Sequence, residues 1–170
     1  MALGKVATIV LQMARKLAED VVRLGRVRDA GKPKTFPHFR EIRGAYLDIQ
    51  GLIFSIQERL DVAGKELPEN FPQWVIRQKL TAIAHFTDIS YAFVSDPPLA
   101  LTSSLGAFDV LLAEQKAFSE TLNAFDMLLM EAGIDDKTAD ELDATRTKIE
   151  HILGMIDALL KNSPKVLEEF

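Results

Sequence analysis

Between Ser104 and Gly133 the chain reads SLGAFDVLLAEQKAFSETLNAFDMLLMEAG, and its apolar residues recur at Phe108, Leu111, Phe118, Leu122, Phe125, Leu129 and Ala132. The intervals alternate between three and four, with Gln115 the one polar residue on the seam. A seam of that period, held for nearly four heptads, suits an α-helix and no strand. With a rise of about 1.5 Å per residue the rod is ~45 Å long. A single apolar stripe of this length cannot be buried alone, so other helices must supply the facing wall. The fold class that follows is an all-α bundle.

The rest of the chain supplies those helices. The spacing predicts helix 1 over residues 3–28, helix 2 over 37–63, helix 3 over 72–95, helix 4 over 104–132 and helix 5 over 138–162. Helix 1 has the inner stripe Val6, Val10, Met13, Leu17, Val21 and Leu24, and Gly31 with Pro33 ends it. Helix 2 carries an unbroken seam of Phe39, Ile42, Tyr46, Ile49, Ile53, Ile56, Leu60 and Ala63. Helix 3 is apolar over a wide arc and should be the most buried. Asn70 is the expected cap of helix 3, Ser103 or Ser104 that of helix 4, and Thr138-x-x-Glu141 a capping box for helix 5. Gly133 with Ile134 suits a glycine stop at the end of helix 4. No strand-like alternation occurs, and the short links make successive helices antiparallel neighbours. The expected architecture is one five-helix, mostly antiparallel bundle over residues 1–170.

At 170 residues the chain suits one domain with a core of its own. It has no cysteine, which excludes disulfides, thiolate catalysis and cysteine-held zinc or iron–sulfur groups. A net charge of −5 argues against stable nucleic-acid binding over the whole surface. The apolar run Val6–Ala14 is followed by Arg15, Lys16, Glu19 and Asp20 and not by a small-residue cleavage site. It reads as the start of helix 1, and the cytoplasm is the default location.

Chemistry-bearing residues are sparse. His38-x-x-Glu41 and His85-x-x-Asp88 each set an imidazole one turn from a carboxylate. The di-iron bundles use the reverse order with two more inward glutamates, so no metal and no cofactor is expected. GRVRDAGK at 25–32 lacks the spacing, the hydroxyl residue and the preceding strand of a phosphate loop.

Two resemblances imply alternatives. RTKIEH, from Arg146 to His151, resembles in its spacing the motif of the HEPN-type ribonucleases, which are all-helical and pair as dimers. That resemblance implies a metal-independent ribonuclease, with His151 as acid–base group and Arg146 steadying a phosphate. It covers six residues, and Thr147 stands where the family usually has Asn, Asp or His. Five residues also turn a helix by roughly 140°, which puts the two side chains on opposite flanks of the seam. The stretch Ala2–Ala14 resembles, in a general way, the N-terminal helix of the HeLo-type cell-death executioner domains. This would imply a helix that leaves the bundle for anionic lipid, aided by Arg15, Lys16, Arg23 and Arg26.

Binding features weigh more than catalytic ones. Arg23, Arg26, Arg28, Lys32, Lys34, Arg40 and Arg43 form a basic corner at the helix 1–2 hairpin, while ten acids lie between Asp109 and Asp143. Phe36 and Phe39 in that corner could stack on a base. Helix 2 has a second apolar side, Leu47 and Phe54 beside Gly44 and Gly51. Either a second neighbouring helix approaches closely over the glycines, or the face serves self-association. The sequence therefore supports a non-enzymatic interaction or regulatory module. Its partner-binding face is Gly44, Leu47, Gly51 and Phe54, its second contact is the basic corner, and a homodimer is the expected association.

Overall fold

Three-and-four spacing becomes helix wherever it occurs. The computed structural model describes residues 4–99 and 101–162. Five helices make up the fold: α1 (Lys5–Asp29), α2 (Phe36–Ala63), α3 (Phe71–Ser95), α4 (Ala107–Glu131) and α5 (Asp136–Lys161). Short 3-10 turns stand at Gly64–Glu66 and Leu101–Ser103, and no strand occurs among the described residues.

Cross-links fix the helix directions. The Gly4 N–H donates to Glu66 Oε2 at 2.9 Å, before the start of α3, and Lys32 Nζ meets Asp96 Oδ2 at 2.7 Å, just past its end. Helices α1 and α3 thus run parallel. Arg77 Nε, early in α3, donates to the Ala132 carbonyl at 2.9 Å, just past α4, so these two are antiparallel. Lys148 lies 2.7 Å from Asp88, and further along Ser95 Oγ donates to Met155 Sδ at 3.6 Å, so α5 parallels α3. Consecutive helices run in opposite directions, as short links require.

Helix α3 is the core of the bundle and packs against all four others. Val75, Ile76, Leu80, Ile83, Phe86, Ile89, Phe93 and Val94 are all buried, together with Thr87 and Ser90. Aromatic rings stack through the centre. Phe39 lies 4.4 Å from Phe93, Tyr46 lies 4.2 Å from Phe86, and Phe118 extends the stack at 5.9 Å from Phe86. Such pairs contribute about 1 kcal/mol each beyond their burial. Phe36 and Phe39 are both buried, so neither is available to stack on a base.

Helix ends depart from expectation at three places. Asn70 makes no side-chain cap bond to α3. Helix α4 begins at Ala107 behind Gly106, whose φ of 82° and place at the cap displace Ser103 and Ser104 from that role. Helix α5 starts two residues before Thr138, because the Asp135 carboxylate accepts from the Thr138 N–H at 2.8 Å. At the other end of α4 the glycine stop forms as expected. Gly133 has a φ of 64°, and the Ile134 N–H reaches back to the Leu129 carbonyl at 3.1 Å.

The seam of α4 is shifted from its sequence reading. Phe108 is 44% exposed, whereas Ala107, Leu111, Glu114, Phe118, Phe125 and Leu128 are buried. Packing follows that row because it lies against α3 and α5, and it takes a carboxylate inside with it.

Candidate functional site

The outer side of α2 is covered by no other helix among the described residues. Its inner seam is spent on α1 and α3: seven of the eight seam residues named from the sequence are buried and Leu60 is half-buried. Gly44, Leu47, Gly51 and Phe54 recur at intervals of three and four on the opposite side, and all four are exposed. Leu47 is 41% and Phe54 61% accessible. A Cβ built on Gly44 or Gly51 would meet nothing within 4 Å. The close helix approach that would account for these glycines inside the chain is therefore absent from the described residues.

A cleft opens beside this face, between α2 and α4, with α3 as its floor. It measures about 390 Å³, and Leu47 and Phe54 form part of its α2 wall. Tyr46, Phe86 and Phe118 line its depth, and Gln50 Nε2 donates to the Tyr46 hydroxyl at 2.8 Å. Glu114, 3% exposed, also lines it. Its Oε1 accepts from Arg43 Nε of α2, while its Oε2 is buried with no hydrogen-bond partner. Burial pushes the Glu114 carboxyl above its ordinary range, and the Arg43 guanidinium works against that shift. Burial also raises the Tyr46 phenol strongly, so it stays protonated. The sequence sets Arg43 among the basic residues of the helix 1–2 corner and does not mark Glu114 as its partner. The only signal was an acid at a core interval of α4.

The basic corner is largely spent within the chain. Arg23 pairs with Asp20, Arg28 with Asp29 and Asp88, Lys32 with Asp96, and Arg43 with Glu114. Arg26, Lys34 and Arg40 are exposed and make no ion pair among the described residues.

His85 lies between α1 and α3, where its Nδ1 stands 2.8 Å from Arg28. Asp88 reaches both Arg28 of α1 and Lys148 of α5. His38 and Glu41 are exposed and line a separate trough of about 610 Å³ between α1 and α2. Among the described residues no three His, Asp or Glu side chains come together as metal ligands.

Arg146 and His151 stay apart. Arg146 pairs with Asp126 of α4 and with Asp143, its guanidinium 5.2 Å from the centre of the Phe125 ring. His151 is exposed beside Tyr91 of α3, 6.4 Å between ring centres. One side chain faces the α4 flank and the other the α3 flank, the arrangement that five residues of helical rotation dictate.

Of the N-terminal stretch, residues 1–3 lie outside the described residues. Ala7, Val10 and Ala14 are buried in the common core, while Ile9 is exposed. No helix among the described residues is long and apolar enough to cross a membrane.

Fold and surface together define an all-α packed bundle with an open face on α2 and, beside it, an aromatic-floored cleft that holds a buried carboxylate. Compared with known proteins, the chain matches no family model, no curated protein and no solved structure.

Proposed function

We propose that this bundle is a non-enzymatic interaction module that pairs with a second copy of itself across the outer face of α2. The observation that carries the reading is the pair of glycines at 44 and 51, which look onto open space. Glycine inside a helix costs about 1 kcal/mol relative to alanine, and no contact among the described residues offsets that cost here. A second helix crossing over both positions would, because it could approach to backbone contact and bury Leu47 and Phe54 as it did so.

Charge favours an antiparallel crossing of α2 with its copy. The helix begins with exposed Arg40 and ends with exposed Glu58 and Asp61. A two-fold arrangement sets each basic end over the other's acidic end, which is the self-complementary patch that a symmetric dimer needs. Arg26 and Lys34 extend the basic end, giving the corner its role as second contact.

Light scattering tests this directly. The expected mass is twice 18.9 kDa, falling to the single-chain value in Leu47→Asp and Phe54→Asp with helicity unchanged. A single-chain mass for the unaltered protein at about 100 μM, a weak-dimer concentration on the usual affinity scale, sinks the reading. So does unfolding of both variants.

A further inference from the structure

We propose that the cleft between α2 and α4 is a binding site for a small planar apolar molecule bearing one neutral hydrogen-bond donor, a hydroxyl or ring N–H of the phenol or indole class. A cleft of about 390 Å³ is within the size range of small-molecule sites. Its floor is aromatic, with Tyr46 stacked on Phe86 at 4.2 Å and Phe86 on Phe118 at 5.9 Å, which suits a flat ring. Glu114 and Tyr46 bring buried polar atoms to the cleft, while half-buried Gln50, Gln57, Lys79 and Thr121 and exposed Glu120 line it nearer the surface. A polar group at depth is what fixes a ligand's orientation.

Glu114 decides what the molecule must carry. The carboxylate is 3% exposed, and its Oε2 has no partner although buried oxygens almost always have one. A donor arriving from the cleft supplies the missing bond. Arg43 already balances the charge, so an ammonium would bring a second cation to a pair that is neutral, whereas a hydroxyl or indole N–H adds none. The Tyr46 hydroxyl accepts from Gln50 and keeps its own hydrogen, which a ligand oxygen could take. A helix, roughly 10 Å across with its side chains, could cover Leu47 and Phe54 but not descend to Glu114.

Titration of the ¹⁵N-labelled chain with 2-naphthol tests the site, with 2-naphthyl methyl ether as the shape-matched probe lacking the donor. Saturable shifts are expected at the Gln50 side-chain amide and the Thr121 and Ala124 backbone amides. A hydrogen bond to a charged partner should make 2-naphthol bind at least about tenfold tighter than the ether. Ala124→Leu fills the cleft wall without touching Arg43 or Glu114 and should abolish the shifts, as should Thr121→Leu if the first variant folds poorly. Equal affinity for the two probes would mean that water satisfies Oε2, and the proposal fails. It fails too if shifts map outside the cleft or do not saturate up to the solubility limit. The titration reads each chain's own cleft and light scattering reads mass, so failure of this site and failure of self-association are separate results.

Discussion

The His85 imidazole of α3 lies directly over Gly25 of α1: a Cβ on that glycine would stand 2.9 Å from Nε2 and 3.3 Å from both ring carbons beside it. Arg28, one turn further along α1, approaches Nδ1 at 2.8 Å. A guanidinium can only donate, so Nδ1 accepts and the proton of the neutral ring sits on Nε2, against the bare glycine. One glycine thus lets two parallel helices close over a ring that is hydrogen-bonded from the same side.

Gly25→Ala should lower stability even though alanine is the better helix former. The helix gain is about 1 kcal/mol. Against it stand the displaced ring and the loss of the Arg28–His85 bond, about 1.5–3 kcal/mol for a bond to a charged group at a half-buried site. The net expectation is a loss of about 1 kcal/mol, read from the urea midpoint of the two proteins. A midpoint that rises would show that the ring is free to move aside.

Protonation of His85 should weaken the fold. Burial is the main cause that holds its pKa below the usual 6.5, followed by the Arg28 charge, while Asp88 and Asp29 pull the other way. Lys148 of α5 offsets Asp88 from the far side. A histidine with a lowered folded pKa binds fewer protons folded than unfolded as pH drops from the ordinary value toward the folded one. Stability is therefore complete above about pH 6.5 and falls through that window. Glu114, raised by burial, contributes with the opposite sign, since its folded form holds its proton to higher pH than the unfolded chain does. The test is the difference between the native chain and His85→Gln: urea midpoints measured from pH 7.5 to 5 should fall more steeply in the native chain, and parallel curves would refute the assignment.

Arg43 and Glu114 should be far more costly to separate than to remove together. Deleting one partner of a buried pair strands the other and costs about 3–5 kcal/mol. Arg43→Met leaves a carboxylate that is almost fully buried with neither oxygen bonded, so it is expected near the upper end. The double change Arg43→Met with Glu114→Leu removes both charges and should recover most of the loss. If the double variant is as unstable as the single ones, size and not charge governs this position.

Much of the bundle was legible because its seams obey one period. The α2 seam could be named residue by residue from three-and-four spacing, since apolar residues at that period have one side to bury, and the wide apolar arc of helix 3 marked it as the most buried. Helix α4 shows where this reasoning stops. An apolar-inward seam takes in Phe108 and leaves out Glu114, whose acceptability in the core depends on an arginine 71 residues earlier. No local pattern carries that fact. The same holds for Gly25, whose reason for being glycine is a ring sixty residues away on α3. The exposed row on α2 was visible as a second apolar side, but only the packed structure shows that no helix among the described residues covers it.

That row yields a test in which folding and association move in opposite directions. Gly44→Ala and Gly51→Ala place a methyl group where nothing lies within 4 Å, so each should stabilise the single chain by roughly 0.5–1 kcal/mol. If the two glycines exist so that a second copy can approach to backbone contact, the same methyl groups hold the crossing helices apart. The double variant should then melt higher at concentrations where the chain is single, and should need at least about tenfold more protein to reach the doubled mass, a loss of roughly 1.4 kcal/mol. Thermal melting by circular dichroism and light scattering on the same samples read the two effects separately. A variant that is both more stable and equally associated would detach the glycines from self-association, and the α2 face would lose the observation on which its proposed role rests.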